Sequence, residues 1–346
     1  MNGIPRGQHS SLGDCVASWL ANGRHLLVAI ESYFDGAAVD GNWSENGKLI
    51  TLAGFAAEEE VWAAFDIAWN AVLHDSTRRP SAPYLHMREA VHGKGSFQKR
   101  NGWDLTKASY LVQDLLMYMQ TVDKQRFRQF ACTIDLRAYK AYKAAGFPVV
   151  QNHFQMCNQF CPFSVLAWHI SSPGLMKNLH YFFDKDEPFK DHFEARSKRE
   201  KGNTISKGGM DYFWSMISTV CTADMRDKPA LQAADLLAWG TNRAQMPEGK
   251  AFKYIEYIMK QIIPSSWIVW DEARFTQEFG PLKDRKLIDM KPTPSQDDEY
   301  KEFDDVMKKI IAVPPHSEVN AKLDAKKLAK KRKAAKLSAS GHASKR

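Results

Sequence analysis

Three apolar segments rich in β-forming residues each stop at an aspartate, and this repeated pattern predicts three strands that end in a carboxylate. The segments are Leu26–Phe34 before Asp35, Phe130–Ile134 before Asp135, and Leu179–Phe183 before Asp184. A fourth apolar run, Lys48–Ala56, follows a turn rich in Gly and Asn and predicts an antiparallel partner of the first strand. A strand end is rigid yet faces the rim of a sheet, where open α/β sheets bind ligands. The three aspartates can therefore converge on one point.

Helical spacing of apolar residues is found between and after these strands. The segment 58–73 has this spacing and begins with acidic residues, which the helix dipole favours in a first turn. A second helix is predicted from Asp104, a suitable N-cap, and another from Pro229. Further helical stretches are predicted around 138–170 and 189–201. This order of elements predicts an α/β fold with a mixed sheet flanked by helices.

Composition and local bias divide the chain into four parts. We expect an N-terminal extension over 1–23, an α/β domain over 24–245, a helical C-terminal extension over 246–312 and a disordered Lys/Ala-rich tail over 313–346. Hydrophobic residues make up 44% of the chain and charged residues 25%, as in ordinary globular proteins. Neither an apolar run of roughly 18 residues nor a signal-peptide core is found. We therefore expect a cytoplasmic protein that does not enter a membrane, of unassigned oligomeric state.

The formal net charge of +8 is concentrated at the C-terminus. Residues 321–346 hold ten Lys and Arg against the single Asp324, a local charge of +9, so residues 1–320 carry a net −1. Such a tail can bind nucleic acid by neutralising phosphates, without sequence preference and with strong salt dependence. A solubilising terminus is the alternative interpretation. The residues predicted to contact nucleic acid are Lys326, Lys327, Lys330, Lys331, Arg332, Lys333 and Lys336.

Five cysteines in 346 residues, at no repeated spacing, favour reduced thiols over a disulfide framework. His153, Cys157 and Cys161 lie at i, i+4 and i+8, so they could line one helix face as zinc ligands. The phenylalanines around them and Pro162 favour a packed apolar segment instead.

Asp235 is a fourth carboxylate of interest because it lies in an otherwise apolar helical segment, Leu231–Trp239. A buried charge there is costly unless it is paired or binds a cation. A hydrogen bond from Gln232 or Arg243, or a place on an exposed stripe, would explain it equally well. Carboxylates that several elements bring to one point repel each other unless divalent cations neutralise them, and such oxygen ligands select Mg²⁺ or Mn²⁺. A cluster of this kind can hydrolyse phosphodiesters with two metal ions.

Six short motifs connect the chain with a known family. They are Tyr33-Phe34-Asp35, Leu49–Phe55, Leu85–Glu89, Thr133–Asp135, Phe182–Asp184 and, as the most specific, Leu231–Ala238. Over roughly residues 26–243 the chain resembles the bacterial proteins called domain of unknown function 3800, which are assigned to the ribonuclease H-like superfamily. The resemblance implies a ribonuclease H-like fold.

The resemblance also implies a metal site. It makes Asp35, Asp184 and Asp235 the catalytic Mg²⁺ or Mn²⁺ ligands. The second-tier candidates are Asp135, the loop residues Asp186 and Glu187, which can fold back after β-strand residue Asp184, and the motif residues Glu89 and Gln232. Members commonly follow the first Asp with Glu-Ser-Gly, whereas this chain has Gly36-Ala37-Ala38. We therefore expect a metal-dependent nuclease or related phosphodiester-cleaving enzyme, or alternatively a non-catalytic nucleic-acid-binding or scaffold protein with a degenerate site.

Overall fold

The computed structural model describes residues 29–147, 152–171, 178–185, 187–202, 214–246 and 265–282. Within these ranges the strands are β1 (Ile30–Ala38), β2 (Leu49–Glu58), β3 (Phe127–Asp135), β4 (Leu179–Asp184), β5 (Ile217–Ala223) and β6 (Ser265–Trp270). The α-helices there are α1 (Glu59–His74), α2 (Met87–His92), α3 (Leu105–Met119), α4 (Leu136–Ala144), α5 (His153–Ser171), α6 (Pro188–Gly202), α7 (Pro229–Ala244) and α8 (Glu272–Phe279). The predicted extension over 1–23 and the predicted tail over 313–346 lie outside the described residues.

The six strands form one mixed sheet in the order β5-β4-β1-β2-β3-β6. β2 runs antiparallel to both β1 and β3, whereas β4 is parallel to β1, β5 to β4, and β6 to β3. This confirms the predicted α/β fold with a mixed sheet flanked by helices. Because β1, β3 and β4 point the same way, their carboxyl ends lie along one edge of the sheet.

Helices cover both faces of the sheet, so the central strands are buried on both sides. Successive side chains of a strand point to opposite faces, and Tyr33 accordingly packs in the core with α1, α3 and α7, while Phe34 packs in the core with α4, α5 and α6. In β2 every residue over 49–57 is buried, as expected of a strand between two helical layers. None of the helices in the described ranges is long and apolar enough to cross a membrane.

The apolar interpretation of the His153 segment fits the packing of α5. The thiols of Cys157 and Cys161 lie 3.7 and 3.3 Å from the backbone oxygens of Cys132 and Leu52, and both cysteines are buried. Nε2 of His153 lies 2.9 Å from a different backbone oxygen, that of Trp43. The three side chains thus contact separate backbone groups in the core.

Two segments differ from the sequence predictions. β1 does not stop before Asp35 but continues to Ala38, because residues 36–38 keep their antiparallel register with β2. The region 246–312 was predicted to be helical, but Ser265–Trp270 is a strand that pairs with β3. The sheet therefore extends beyond residue 245. An edge strand of six residues is too short for its periodicity to be distinguished from that of a buried helical turn.

Candidate functional site

Helix α7 brings Asp235 to the sheet. The helix begins with Pro229, whose fixed φ suits the first turn, and every residue from Pro229 to Asn242 is buried. Near its end, Nδ2 of Asn242 donates to the carbonyl oxygen of Ala37 (3.2 Å) and to Oγ1 of Thr51 (3.1 Å), which fixes α7 to β1 and β2. Asp235 lies between these two ends and is only 6% exposed. The exposed stripe considered for Asp235 is therefore wrong.

Asp35 and Asp184 lie side by side on neighbouring parallel strands. Phe34 of β1 pairs with Phe183 of β4, so the next residue of each strand points to the same face, toward α7. Adjacent strands are about 4.8 Å apart. Asp35 is 3% exposed, and Asp184 is partly buried and accepts a hydrogen bond from the backbone N–H of Met225 (3.2 Å).

Glu187 joins them from the loop after β4. Its carboxyl group is hydrogen-bonded with that of Asp35, which is also hydrogen-bonded with that of Asp235. Glu187 packs directly over Gly36: a Cβ atom at position 36 would overlap Oε2 of Glu187 and lie 2.7 Å from the ring of Phe189. The Glu187 carboxylate thus occupies the space of a side chain at position 36, where the sequence pattern showed no acidic residue.

The four side chains Asp35, Asp184, Glu187 and Asp235, here called the carboxylate cluster, perturb each other's ionisation. Burial raises the pKa of Glu187 to about 8, and repulsion by Asp184 adds to the effect. Burial, with repulsion by Asp235, raises the pKa of Asp184 to about 6. The pKa of Asp35 is raised by burial and by repulsion from all three partners. Burial also raises the pKa of Asp235, although nearby His86 opposes this. The metal-free cluster therefore retains protons at neutral pH.

The carboxylate cluster lines an open cleft of about 260 Å³. Four basic side chains, here called the cationic rim, and two tryptophans also line it: His86, Arg88, His92, Arg243, Trp43 and Trp239. Arg88 is exposed, while the two histidines are partly buried. The cleft thus combines acidic and basic groups, which suits a ligand that carries both a metal ion and an anion.

The sequence did not single out most of the cationic rim. His86 and Arg88 lie within the Leu85–Glu89 motif without an assigned role, and Arg243 was considered only as a partner for Asp235. Arg88 and His92 lie two and six residues after His86, but their convergence on a cleft depends on how α2 docks against α7. No local pattern carries that information.

Glu89 and Gln232 support the site rather than line the cleft. Glu89 accepts a hydrogen bond from the Tyr84 hydroxyl (2.8 Å), and its other oxygen lies 3.6 Å from Nδ1 of His86. Gln232 is 1% exposed and makes three hydrogen bonds to the surrounding structure. The buried Asp235 is held not by Gln232 but by the backbone N–H of Met87, 2.6 Å from its Oδ2.

One second-tier candidate, Asp135, does not join the cluster. Asp135 ends β3 but is the N-cap of α4, accepting hydrogen bonds from the backbone N–H groups of Arg137 (2.9 Å) and Ala138 (3.3 Å). It also lies 3.3 Å from the Arg137 guanidinium and does not line the cleft. Asp186 lies outside the described residues, as do the basic residues predicted to bind nucleic acid.

The chemistry of the carboxylate cluster fits a hard divalent cation. All its donors are carboxylate oxygens, which are the ligands that hard divalent cations prefer. The side chains are not yet arranged around a metal position: in the described part of the chain no three His, Cys, Asp or Glu side chains are already placed to hold a metal ion. The hydrogen bonds from Asp35 to its neighbours require protons, which a bound cation would displace.

No protein-family model, curated protein or solved structure matches this chain. The class of protein is therefore inferred from the residues and their geometry.

Proposed function

We propose that this protein is a Mg²⁺- or Mn²⁺-dependent nuclease, built on a ribonuclease H-like fold, whose metal ligands are the carboxylate cluster. The observation that carries the proposal is the meeting of four carboxyl groups, from β1, the end of β4, the following loop and α7, in one cleft. Their burial and mutual repulsion are costly in a metal-free fold, and such groups cluster at functional sites.

Each part of the cleft has a role in this reaction. Two divalent cations bound there would activate a water molecule and stabilise the leaving oxygen. Asp35 lies between Glu187 and Asp235 and is hydrogen-bonded with both, so the three side chains together would hold the bound metal. The cationic rim would bind the phosphates of the substrate beside the scissile bond. The basic tail would add affinity for any nucleic acid.

The placement of Asp235 supports the ribonuclease H-like assignment. The resemblance implied a ligand from the first strand, one from a later strand and one from a helix. The helix carrying Asp235 packs on β1, and β4 pairs with β1 so that Asp35 and Asp184 are neighbours.

A second candidate is a nucleic-acid-binding or scaffold protein that does not cleave. The absence of a preformed metal-holding trio among the described residues favours it. A cationic rim and a basic tail are sufficient for binding without hydrolysis.

Cleavage assays with matched variants test the proposal. Single-stranded DNA, double-stranded DNA, RNA and a DNA–RNA hybrid are incubated with the full chain and Mg²⁺ or Mn²⁺, alongside Asp35→Asn, Asp235→Asn and Asp135→Asn. Asp135→Asn is the control, because it is the same chemical change outside the cleft and Asn also caps helices well. We expect the cleavage rate of Asp35→Asn and Asp235→Asn to fall at least about 100-fold, since that is the upper end of the effect seen when only a hydrogen-bond partner of a metal ligand is lost. The control Asp135→Asn should retain its activity.

The outcomes separate the two candidate functions. Equal activity in all four proteins would overturn the assignment of the cluster. Nucleic-acid binding without metal-dependent cleavage of any substrate would favour the scaffold.

A further inference from the structure

Gln232 lies one helical turn before Asp235, on the same side of α7, and all its polar atoms are used. Its Oε1 accepts hydrogen bonds from Nε1 of Trp69 and from the backbone N–H of Leu85, each at 2.9 Å. Its Nε2 donates to the carbonyl oxygen of Met225 at 2.8 Å. One buried amide therefore connects α7 with α1 and with two loop segments.

The first of these segments leads to Asp235. His86 has extended dihedral angles, so the N–H groups of Leu85 and Met87 on either side of it point the same way, toward α7. Leu85 donates to Gln232 and Met87 donates to Asp235. The two hydrogen bonds come from backbone N–H groups two residues apart, so the bond at Leu85 also fixes the position of the Met87 N–H. His86, between them, lines the cleft.

The second segment leads to Asp184. The carbonyl oxygen of Met225 accepts a hydrogen bond from Gln232. The backbone N–H of Met225 donates a hydrogen bond to Asp184 at 3.2 Å. Gln232 thus acts on two members of the carboxylate cluster, on Asp235 through the segment Leu85–Met87 and on Asp184 through Met225 alone.

We propose that Gln232 is a positioning residue of the metal site, which holds the Leu85–Met87 and Met225 segments so that their amides orient Asp235 and Asp184. The inference rests on the proposed function, because it concerns the same cation. It adds that the site depends on a neutral amide that touches neither the cation nor the substrate. Outer hydrogen-bond partners of metal ligands commonly change affinity by roughly 10–100-fold.

Two variants and a control test this role. Gln232→Met has a similar volume but loses all three hydrogen bonds. Gln232→Glu keeps an acceptor for Leu85 but loses the donor to Met225. Val112→Ala is the control for lost stability, since Val112 is buried in the same core cluster on α3 and does not line the cleft.

Mn²⁺ affinity is measured by titration calorimetry on the full chain, at a temperature where all proteins are folded, together with amide hydrogen exchange at residues 85–87 and 225. We expect Gln232→Met to lower Mn²⁺ affinity about 10–100-fold and to speed exchange in both segments. Gln232→Glu should lower Mn²⁺ affinity and speed exchange mainly at Met225. Val112→Ala should leave affinity within about twofold of wild type, since it removes no partner of a ligand.

The results distinguish failure of the inference from failure of the proposed function. If wild type binds Mn²⁺ and both Gln232 variants bind it equally well, the positioning role is wrong while the metal site remains. If Gln232→Met does not fold, Gln232→Glu alone decides in the same way. If wild type binds no Mn²⁺, the proposed function fails and the positioning role with it.

Discussion

The stability of the metal-free protein should fall as pH rises through neutrality, because the carboxylate cluster retains protons in the folded state. In the unfolded chain Glu187 titrates near its ordinary pKa of 4.5. In the folded protein burial, with a smaller contribution from repulsion by Asp184, raises this pKa to about 8. Between these values the folded protein binds one more proton than the unfolded chain. The contribution of Glu187 to the free energy of unfolding is therefore largest below pH 4.5. This contribution is lost as pH rises toward 8.

The magnitude follows from one retained proton. Each pH unit in this window costs about 1.4 kcal/mol, so the step from pH 5.5 to 7.5 should remove about 3 kcal/mol of stability. That is a substantial part of the stability of a typical folded domain, which is about 10 kcal/mol. Asp184, with a folded pKa of about 6, contributes with the same sign over the lower part of the window.

Other titrating groups must be separated from the cluster. Burial lowers the pKa of His153 and of His192, which makes stability rise with pH, whereas burial raises the pKa of Asp66 to about 6, which acts in the opposite direction. The assay is therefore urea unfolding of wild type and Glu187→Gln at several pH values without divalent metal. Asp191→Asn, at an exposed carboxylate, controls for loss of a surface charge.

The difference between wild type and Glu187→Gln should grow in favour of the variant by about 1.4 kcal/mol per pH unit between pH 5.5 and 7.5. Asp191→Asn should follow wild type. Parallel pH dependence of wild type and Glu187→Gln would refute the reasoning, because Glu187 would then carry no extra proton in the folded state.

Three further predictions concern the same cleft and the tail. Gly36→Ala should lower Mn²⁺ affinity roughly tenfold in titration calorimetry, because the new methyl group takes the space of the Glu187 carboxylate; unchanged affinity would mean that Glu187 is not a ligand. Asp35→Asn should raise the stability of the metal-free protein at pH 8 by about 1–2 kcal/mol, since it removes one ionisable carboxyl from a group of mutually repelling carboxyls, yet abolish stabilisation by Mn²⁺ in thermal unfolding; a lower melting temperature without metal would contradict this. Deleting residues 317–346 should weaken nucleic-acid binding and flatten its salt dependence in fluorescence anisotropy, and an unchanged slope would leave the tail a role in solubility alone.

The sequence predicted those parts of the fold and site that depend on local pattern. The β1–β2 hairpin, the helix that became α1 and the mixed sheet all follow from periodicity and turn composition. Asp235 was conspicuous because a charge among Leu, Ala and Trp needs an explanation, and the structure places it beside Asp35. Its partner, the Met87 amide, was not predictable, because a backbone N–H has no signature in the sequence.

Residues that reach the site by tertiary docking have weak signals in the sequence. Glu187 was a second-tier candidate because the path of the loop after β4 is not encoded in any period, and Gly36 was interpreted only as a missing acid. The structure connects the two observations, since the small residue at position 36 leaves room for the carboxylate from position 187. Strand β6 was missed because a six-residue edge strand has too few residues to reveal alternation.

Asp35 and Asp135 show why an aspartate that follows an apolar run cannot be assigned a role from the strand alone. Both follow apolar runs, and both lie toward the same edge of the sheet. Asp135 accepts hydrogen bonds from two backbone N–H groups at the start of α4, which stabilise its negative charge. Asp35 meets three other carboxyl groups, and protons or a bound cation would relieve the repulsion among them. The contrast between Asp35→Asn and Asp135→Asn therefore tests whether surroundings, rather than position in a strand, determine which aspartate binds metal.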